Sequence, residues 1–402
     1  MPVRATKRGA ERTRFASDAA VDVLICGASF AGLAVARELR ASGASVLVVD
    51  RYDIGERQTS ACAAPTEWLV NLALEDSIRQ TFGSLLVHTP QRTARWALPW
   101  TFSTFDYRTL CRLLWEQCGD AAFETAKVDG RTGNVVHTDR GDVSAGLIVD
   151  ALGWRRILGA AASFQPPDAP LSRGLEVHPD GLGADLELWL DRRYVGPGYG
   201  WSFPARDELR IGVGSFDPRI HVKDPTLTLA ADVSADAVRF QGNWIPHRLR
   251  PAVEDGVFFV GDSAGHCLPM TAEGIRPALY FGVACGRELR AVLDGRADVA
   301  AALRRYAQFS ASHRLAFAWM YAAQRSVRRL HGPAMNGLVR LFGRRAVSYW
   351  AFRHYLDIAP PSAAFPAPPI EWSVGRLQAD RLTTRPARSG YQSPSATEPA
   401  RR

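Results

Sequence analysis

The chain has no Cys-x-x-Cys pair, and its six cysteines, at positions 26, 62, 111, 118, 267 and 285, show none of the Cys/His spacings of a metal site. No metal is expected, and six thiols in 402 residues point to a reducing compartment instead of a disulfide scaffold. Long apolar runs are missing as well. The best, Leu315 to Ala323, is bounded by Arg314 and Gln324, well short of the roughly 18 residues of a membrane-spanning helix. The start, MPVRATKRGAERTRF, has basic residues but no apolar segment behind them, so it does not read as a secretory signal. A cytoplasmic protein is expected. The apolar fraction of 47% excludes wholesale disorder. The length suits two or three units, or one large α/β body.

Acidic residues are unevenly missing. From Leu303 to Leu356 there are ten arginines and no Asp or Glu, together with ten aromatics. The two ends, 1–18 and 359–402, are also basic, so under a formal charge of +8 the rest of the chain is acidic. Both ends read as disordered tails; the second is rich in Pro, Ser, Thr and Arg and cannot bury enough apolar area to offset its ordering entropy. In 303–358 apolar residues recur at helical spacing, and Gly332-Pro333 divides two helices. This basic helical cap reads in two ways. Its arginines face water, or they form a surface that rests on anionic lipid or grips a phosphorylated substrate. No nucleic-acid reader motif accompanies the charge, so no nucleic-acid partner is expected.

The segment VDVLICGASFAGLAVARELRASGASVLVVDR holds an apolar strand from Val21, a glycine turn at Gly27, a helix over Ala31–Leu39 and a second strand ending at Asp50. This is a βαβ unit with the pattern G-x-S-x-x-G, in which Gly27 permits the tight turn and Gly32 permits close helix–strand packing. Ser29 stands where the middle glycine is usual; it is small, and its hydroxyl suits a phosphate oxygen. The helix start, Ser29, Phe30 and Ala31, offers free amides to a pyrophosphate. Asp50, followed by Arg51, suits the two hydroxyls of an adenosine ribose.

Residues 256–284, GVFFVGDSAGHCLPMTAEGIRPALYFGVA, choose between nucleotides. A strand ends in Gly261-Asp262, where the carboxylate can accept from a ribityl hydroxyl. Glu273-Gly274-Ile275 then begins a helix, whose amides suit the pyrimidine edge of an isoalloxazine. One ligand that touches both signatures must be long, and FAD meets that demand.

With these motifs in place, the sequence resembles the FAD-dependent geranylgeranyl reductase family, within the wider para-hydroxybenzoate-hydroxylase-like flavoprotein superfamily. The G-D-S-A-G-H-x-x-P-x-x-x-E-G-I run at 261–275 is close to the family's second flavin motif. Tyr199-Gly200-Trp201-Ser202-Phe203-Pro204 matches its Y-x-W-x-F-P element, followed at the family's spacing by Gly212-Val213-Gly214. The resemblance covers residues 20 to about 300. It implies that Tyr199, Trp201, Phe203 and Pro204 help shape a lipid cavity on an antiparallel sheet, a role compatible with plain sheet packing. It also implies that Arg108 approaches the FAD phosphates or ribityl chain. Asp150 falls in the place of the internal D-G motif, here D-A-L-G, and Arg57 and Cys62 lie in a loop near the flavin.

The resemblance implies an α/β fold: a Rossmann-like FAD-binding domain over 19–75, 100–165 and 250–302, an antiparallel-sheet substrate domain over 76–99 and 166–249, and a C-terminal helical cap over 303–358. The expected reaction is reduction of isoprenoid double bonds by hydride transfer from flavin N5. The alternatives are a monooxygenase of an apolar substrate and, in another class, a non-enzymatic flavin-bearing lipid-binding protein. Halogenation would need a buried lysine, and the three present, Lys7, Lys127 and Lys223, lie in no matching context. His266, Glu273 and Cys62 are the candidates for catalysis, although His266 equally suits a structural donor and Cys62 an inert small side chain. There is no second glycine fingerprint, so the electron donor is NAD(P)H docking transiently or a redox protein. The cap leaves open a peripheral position at an anionic membrane.

Overall fold

The computed structural model describes residues 13–58, 60–159, 170–327, 329–330 and 332–365. Its strands, in chain order, begin with β1 (Ala20–Cys26), β2 (Val46–Asp50), β3 (Ala63–Pro65), β4 (Ile78–Thr89) and β5 (Arg92–Phe105). They continue with β6 (Ala122–Thr125), β7 (Val128–Thr132), β8 (Val135–Thr138), β9 (Gly141–Asp150), β10 (Leu171–Val177) and β11 (Leu186–Trp189). The last are β12 (Gly198–Pro204), β13 (Leu209–Ser215), β14 (Gln241–Pro246), β15 (Val253–Glu254) and β16 (Val257–Phe259). The helices are α1 (Phe30–Glu38), α2 (Thr66–Asn71), α3 (Tyr107–Glu116), α4 (Lys223–Asp232) and α5 (Ile275–Leu293). The cap holds α6 (Val299–Ser312), α7 (Arg314–Val327), α8 (Pro333–Phe342) and α9 (Arg345–Leu356).

The runs Val23–Cys26 and Val46–Val49 are apolar without alternation, the pattern of strands covered on both faces. They pair in parallel in a sheet of order β15-β16-β9-β1-β2-β6, with β8 attached to β9 and β7 to β8. This sheet and α1, α3 and α5 share the largest core. The second sheet has the order β14-β10-β13-β12-β11-β4-β5-β3 and is mostly antiparallel. Here alternation decides the faces. Val177, Ile211 and Val213 pack with Leu229 and Ala230 of α4. Glu176, Gly214, Tyr199, Trp201 and Phe203 turn to the opposite face, which walls a cavity. Residues 63–65 and 100–105, grouped above with the first sheet, pair in this second one.

The cap closes that cavity. Trp96 of β5 packs against Phe342 and Phe352, with ring centroids 5.1 and 6.2 Å apart, and donates from Nε1 to Val339 O at 3.1 Å. Gly332 and Pro333 do open a helix, but His313 and Gly343-Arg344 break the stretch further, so α6, α7, α8 and α9 replace the expected two helices. The extended backbone of Arg344 lets α9 turn back against β5.

Parts of both expected tails are packed. Phe15 N–H donates to Arg140 O at 2.8 Å, and the Arg140 guanidinium lies over its ring. At the other end, Trp68 Nε1 donates to Ala359 O at 3.0 Å and Asn71 to Pro361 O at 3.1 Å. The buried Trp68 indole needs an acceptor, and this segment supplies it. Residues 1–12, residues 366–402 and Arg328 lie outside the described residues. Among the described residues no helix is long and apolar enough to cross a membrane.

Candidate active site

A cavity of about 1680 Å³ runs between the two sheets and under the cap. One end reaches Ala28–Ala31 and Asp50–Asp53, the middle passes Gly261, Asp262, Gly274 and Ile275, and the far end is walled by residues such as Leu98, Leu188, Trp100, Trp201 and Phe352.

At the first end Gly27 has φ +114°, and a Cβ there would stand 2.3 Å from Ala151 O. A Cβ on Gly32 would meet Gly27 O at 1.8 Å. These two glycines stand behind the wall and let β1, α1 and β9 close up; Ala28, Ser29, Phe30 and Ala31 form the wall itself. The start of α1 has no side-chain cap, so its amides are available to a ligand. Asp50 accepts from Ala28 N–H at 2.8 Å and from Tyr52 N–H at 3.0 Å, one on each oxygen, and retains lone pairs for ribose hydroxyls. Burial raises its pKa against the pull of those amides. Ser29 shares a 3.1 Å hydrogen bond with the Tyr107 hydroxyl, a partner that sequence reasoning missed. Arg51 lines the cavity. Arg108 does not: it is exposed, its backbone against Gly55, because the α3 face that turns inward carries Tyr107 and Cys111.

In the middle, Asp262 faces the cavity, and burial pushes it up to about 6 with Arg250 opposing. The start of α5 at Gly274 also has no side-chain cap. Two buried wall atoms, Trp100 Nε1 and Gln241 Oε1, have no hydrogen-bond partner among the described residues. Two uncapped helix starts on one cavity, an acid at each strand end and unpaired polar wall atoms fit a long, polar-and-aromatic nucleotide. Asp150 serves the scaffold: fully buried, it accepts from Ser263 Oγ, Leu152 N and Leu158 N.

The expected catalytic candidates separate. His266 lies outside the wall, fully buried, its ring stacked on Phe281 at 3.7 Å and its Nε2 bonded to Ser310 Oγ at 3.0 Å. Burial, then the nearby His313 and Arg156 charges, hold it neutral, so it is a structural residue. Glu273 is clamped by Arg276, Nε to Oε1 at 2.8 Å and Nη2 to Oε2 at 3.0 Å, and by the Tyr355 hydroxyl. That clamp joins the start of α5 to α9. Cys62 lines the cavity at φ +52° and donates its thiol to Ser60 O; burial raises it well above the usual thiol range. Tyr199, Trp201 and Phe203 line the far end. Pro204 does not, since alternation sends it to the other face, where its carbonyl accepts from Thr104.

No protein-family model matches the chain. It is 26% identical over 336 residues to digeranylgeranylglycerophospholipid reductase 3 of Methanosphaera stadtmanae, covering 73% of this chain and 83% of that protein. The chain is similar in sequence to proteins named as geranylgeranyl reductases. Its fold agrees: a geranylgeranyl bacteriochlorophyll reductase-like protein from Thermoplasma acidophilum superposes with a TM-score of 0.75 at 16% identity, over 86% of this chain and 98% of that one. A probable FAD-dependent monooxygenase from Pseudomonas aeruginosa superposes with a TM-score of 0.61 at 19% identity, over 82% and 99%. The expected α/β fold, the reductase resemblance and the oxidoreductase class are thus borne out.

The site also holds a polar chain that sequence reasoning missed. Trp201 Nε1 donates to Glu176 Oε2 at 3.2 Å, Glu176 Oε1 meets His178 Nε2 at 2.9 Å, and His178 Nδ1 lies 3.5 Å from Glu208 Oε1. Arg210 Nε donates to Glu208 Oε1 at 2.9 Å, and its Nη1 reaches the carbonyls of Ala61, Cys62 and Phe105 at 2.9, 3.2 and 3.0 Å. The signal was present in Gly174-Leu-Glu-Val-His178, where two ionisable residues alternate with apolar ones at the end of β10.

Proposed function

We propose that this protein is an FAD-dependent reductase that saturates double bonds of an isoprenoid lipid. The observation that supports it best is the continuity of the cavity, polar at the α1 end and walled by aliphatic and aromatic side chains beyond Ile275. FAD would be held by the amides of α1, by Asp50 and Arg51, by Asp262 and by the amides at Gly274 and Ile275. The bound flavin supplies the hydride; the chain's own residues orient the lipid and exclude water from it. The electron donor is NAD(P)H or a redox protein.

The lipid enters through the cap. Trp319 of α7 and Trp350 of α9 line the cavity and are also 64% and 66% exposed, which puts its mouth beside two outward indoles. Arg314, Arg325, Arg340, Arg344, Arg345 and Arg353 are exposed on the same helices and their connections. This arrangement suits a cytoplasmic enzyme that docks at an anionic membrane to draw its substrate from it.

The test is anaerobic. Flavin reduced under argon is mixed with a geranylgeranyl lipid, and its absorbance and the lipid mass are followed. Reoxidation, with two hydrogens gained per bond, is the expected result. Reoxidation only after air is admitted, with oxygen in the product, would establish a monooxygenase instead.

A further inference from the structure

Reducing an isolated prenyl double bond poses a chemical problem that the flavin does not solve alone. Such an alkene is electron-rich, and a hydride adds to it readily only as a proton reaches the less substituted carbon. A proton donor must therefore face the same apolar space as the hydride source. His266 and Glu273 fail that requirement, one lying outside the cavity and the other clamped by Arg276.

We infer that Glu176 is that donor, and that His178 and Glu208 return its proton from solvent. The inference rests on the reductase reading above. Glu176 belongs to the cavity wall, on the same sheet face as Trp201, and its side chain is 4% exposed. Its neighbour His178 is 2% exposed, while Glu208 beyond it is 28% exposed, so the run leads from a buried pair at the cavity out to water. Gln241, paired with Glu176 in the β10–β14 register, leaves Oε1 buried without a partner among the described residues. A buried acceptor thus stands across from this carboxyl in the strand register. The Trp201 indole spans Gly212 and Gly214, where a Cβ on Gly212 would stand 2.2 Å from it. It thereby brings a π-face, which stabilises developing positive charge, next to the acid that delivers the proton.

Other charged groups set the relay's poise. His178, just past β10, meets Glu176 of that strand, Glu208 just before β13 with Arg210 within it, and Arg239, which donates to its carbonyl and pairs with Asp180. Burial disfavours the imidazolium, but the hydrogen bonds and charges of the two glutamates outweigh it and raise His178 above the usual histidine range. Cys62, raised first by burial, also feels the Glu176 charge.

The balance is closed. The π bond breaks and two C–H bonds form. One takes the hydride, with its electron pair, from the reduced flavin, which is left oxidised. The other takes the proton of Glu176, replaced through His178 and Glu208 from water.

The experiment combines rapid mixing with NMR. In the flavin-loaded wild type, anaerobic reoxidation by a geranylgeranyl lipid should slow as pH rises through the His178 value. Glu176→Gln should slow it about 10²–10⁴-fold, the usual weight of a general acid, and flatten that limb. Glu176→Asp should recover part of the rate. Glu208→Gln, which stands in if Glu176→Gln fails to fold, should move the limb to lower pH. Independently of flavin, labelled-imidazole spectra of the nine histidines should show His178 losing its raised titration in Glu176→Gln. A folded, flavin-loaded Glu176→Gln with wild-type rate and pH profile overturns the donor and leaves the reductase standing. A wild type that prenyl lipid never reoxidises overturns the reductase reading and the donor with it.

Discussion

Arg210 holds Cys62 in place: its guanidinium, on the substrate sheet, donates to the Cys62 carbonyl at 3.2 Å. Cys62 sits at φ +52°, a backbone region that costs a non-glycine residue about 1–3 kcal/mol. The same guanidinium also binds Ala61 and Phe105 carbonyls and Glu208. One buried cation thus fixes the loop that carries Cys62 to the cavity wall.

Arg210→Ala removes the guanidinium from Glu208 and from the carbonyls of Ala61, Cys62 and Phe105. A loss of about 3–5 kcal/mol is expected, the scale for breaking a buried ion pair. Urea unfolding followed by fluorescence measures it. A loss below about 1 kcal/mol would show that water replaces the guanidinium.

Gly27→Val forces a branched side chain into a φ of +114° and into Ala151 O. Bound FAD should fall from near one per chain to a small fraction, with a lower Tm. The A450 to A280 ratio after gel filtration is the readout, and a yellow, fully loaded variant would contradict the assignment of this turn.

Stability should depend on pH from both sides of the Glu208–His178 pair. The Glu208 carboxyl, raised by burial but lowered more by His178 and Arg210, is pushed down to about 2. Its contribution is therefore present above the ordinary carboxyl value and is lost as pH falls from there toward 2. His178 is raised, so its contribution is present below the ordinary histidine value and is lost as pH rises through the folded value. The pair is most stabilising between about pH 4.5 and 6.5. Thermal melts of wild type and Glu208→Gln across pH 3 to 9 should draw together toward the acid end; parallel curves would dismiss the pair as a determinant.

The cap should bind anionic vesicles. With about 1 kcal/mol per suitably placed arginine, four or five give measurable sedimentation with phosphatidylglycerol vesicles at low salt. Binding should fade as the Debye length drops from about 10 Å at 0.1 M to 3 Å at 1 M. Trp319→Ala with Trp350→Ala should weaken what salt does not remove. Equal binding to neutral vesicles would mean that the arginines only solvate the helices.

Trp201→Ala removes cavity wall and the Nε1 donor to Glu176, but leaves the α1 end intact. Prenyl-dependent reoxidation should fall at least tenfold while FAD content stays near wild type. Loss of FAD in parallel would place Trp201 in cofactor binding.

The motifs legible in the sequence were those that depend on neighbours along the chain. Gly27, Gly32 and Asp50 reveal a βαβ turn because strand, turn and helix lie within about thirty residues and local backbone sterics dictate their order. The Tyr199–Phe203 alternation likewise shows which side chains share a face, since period two is a property of one strand. Contacts between distant segments were hidden. Arg108 reads as a phosphate ligand, yet the inward face of α3 belongs to Tyr107; Glu273 reads as a proton carrier, yet Arg276 and Tyr355 occupy its oxygens. Residues 359–365 look like tail until the buried Trp68 indole is seen to need Ala359 O. The run from Trp201 through Glu176, His178 and Glu208 to Arg210 joins three strands, and only their register brings its charges within reach of one another. A buried charge survives only beside partners that satisfy it, and in this protein those partners come from elsewhere in the chain.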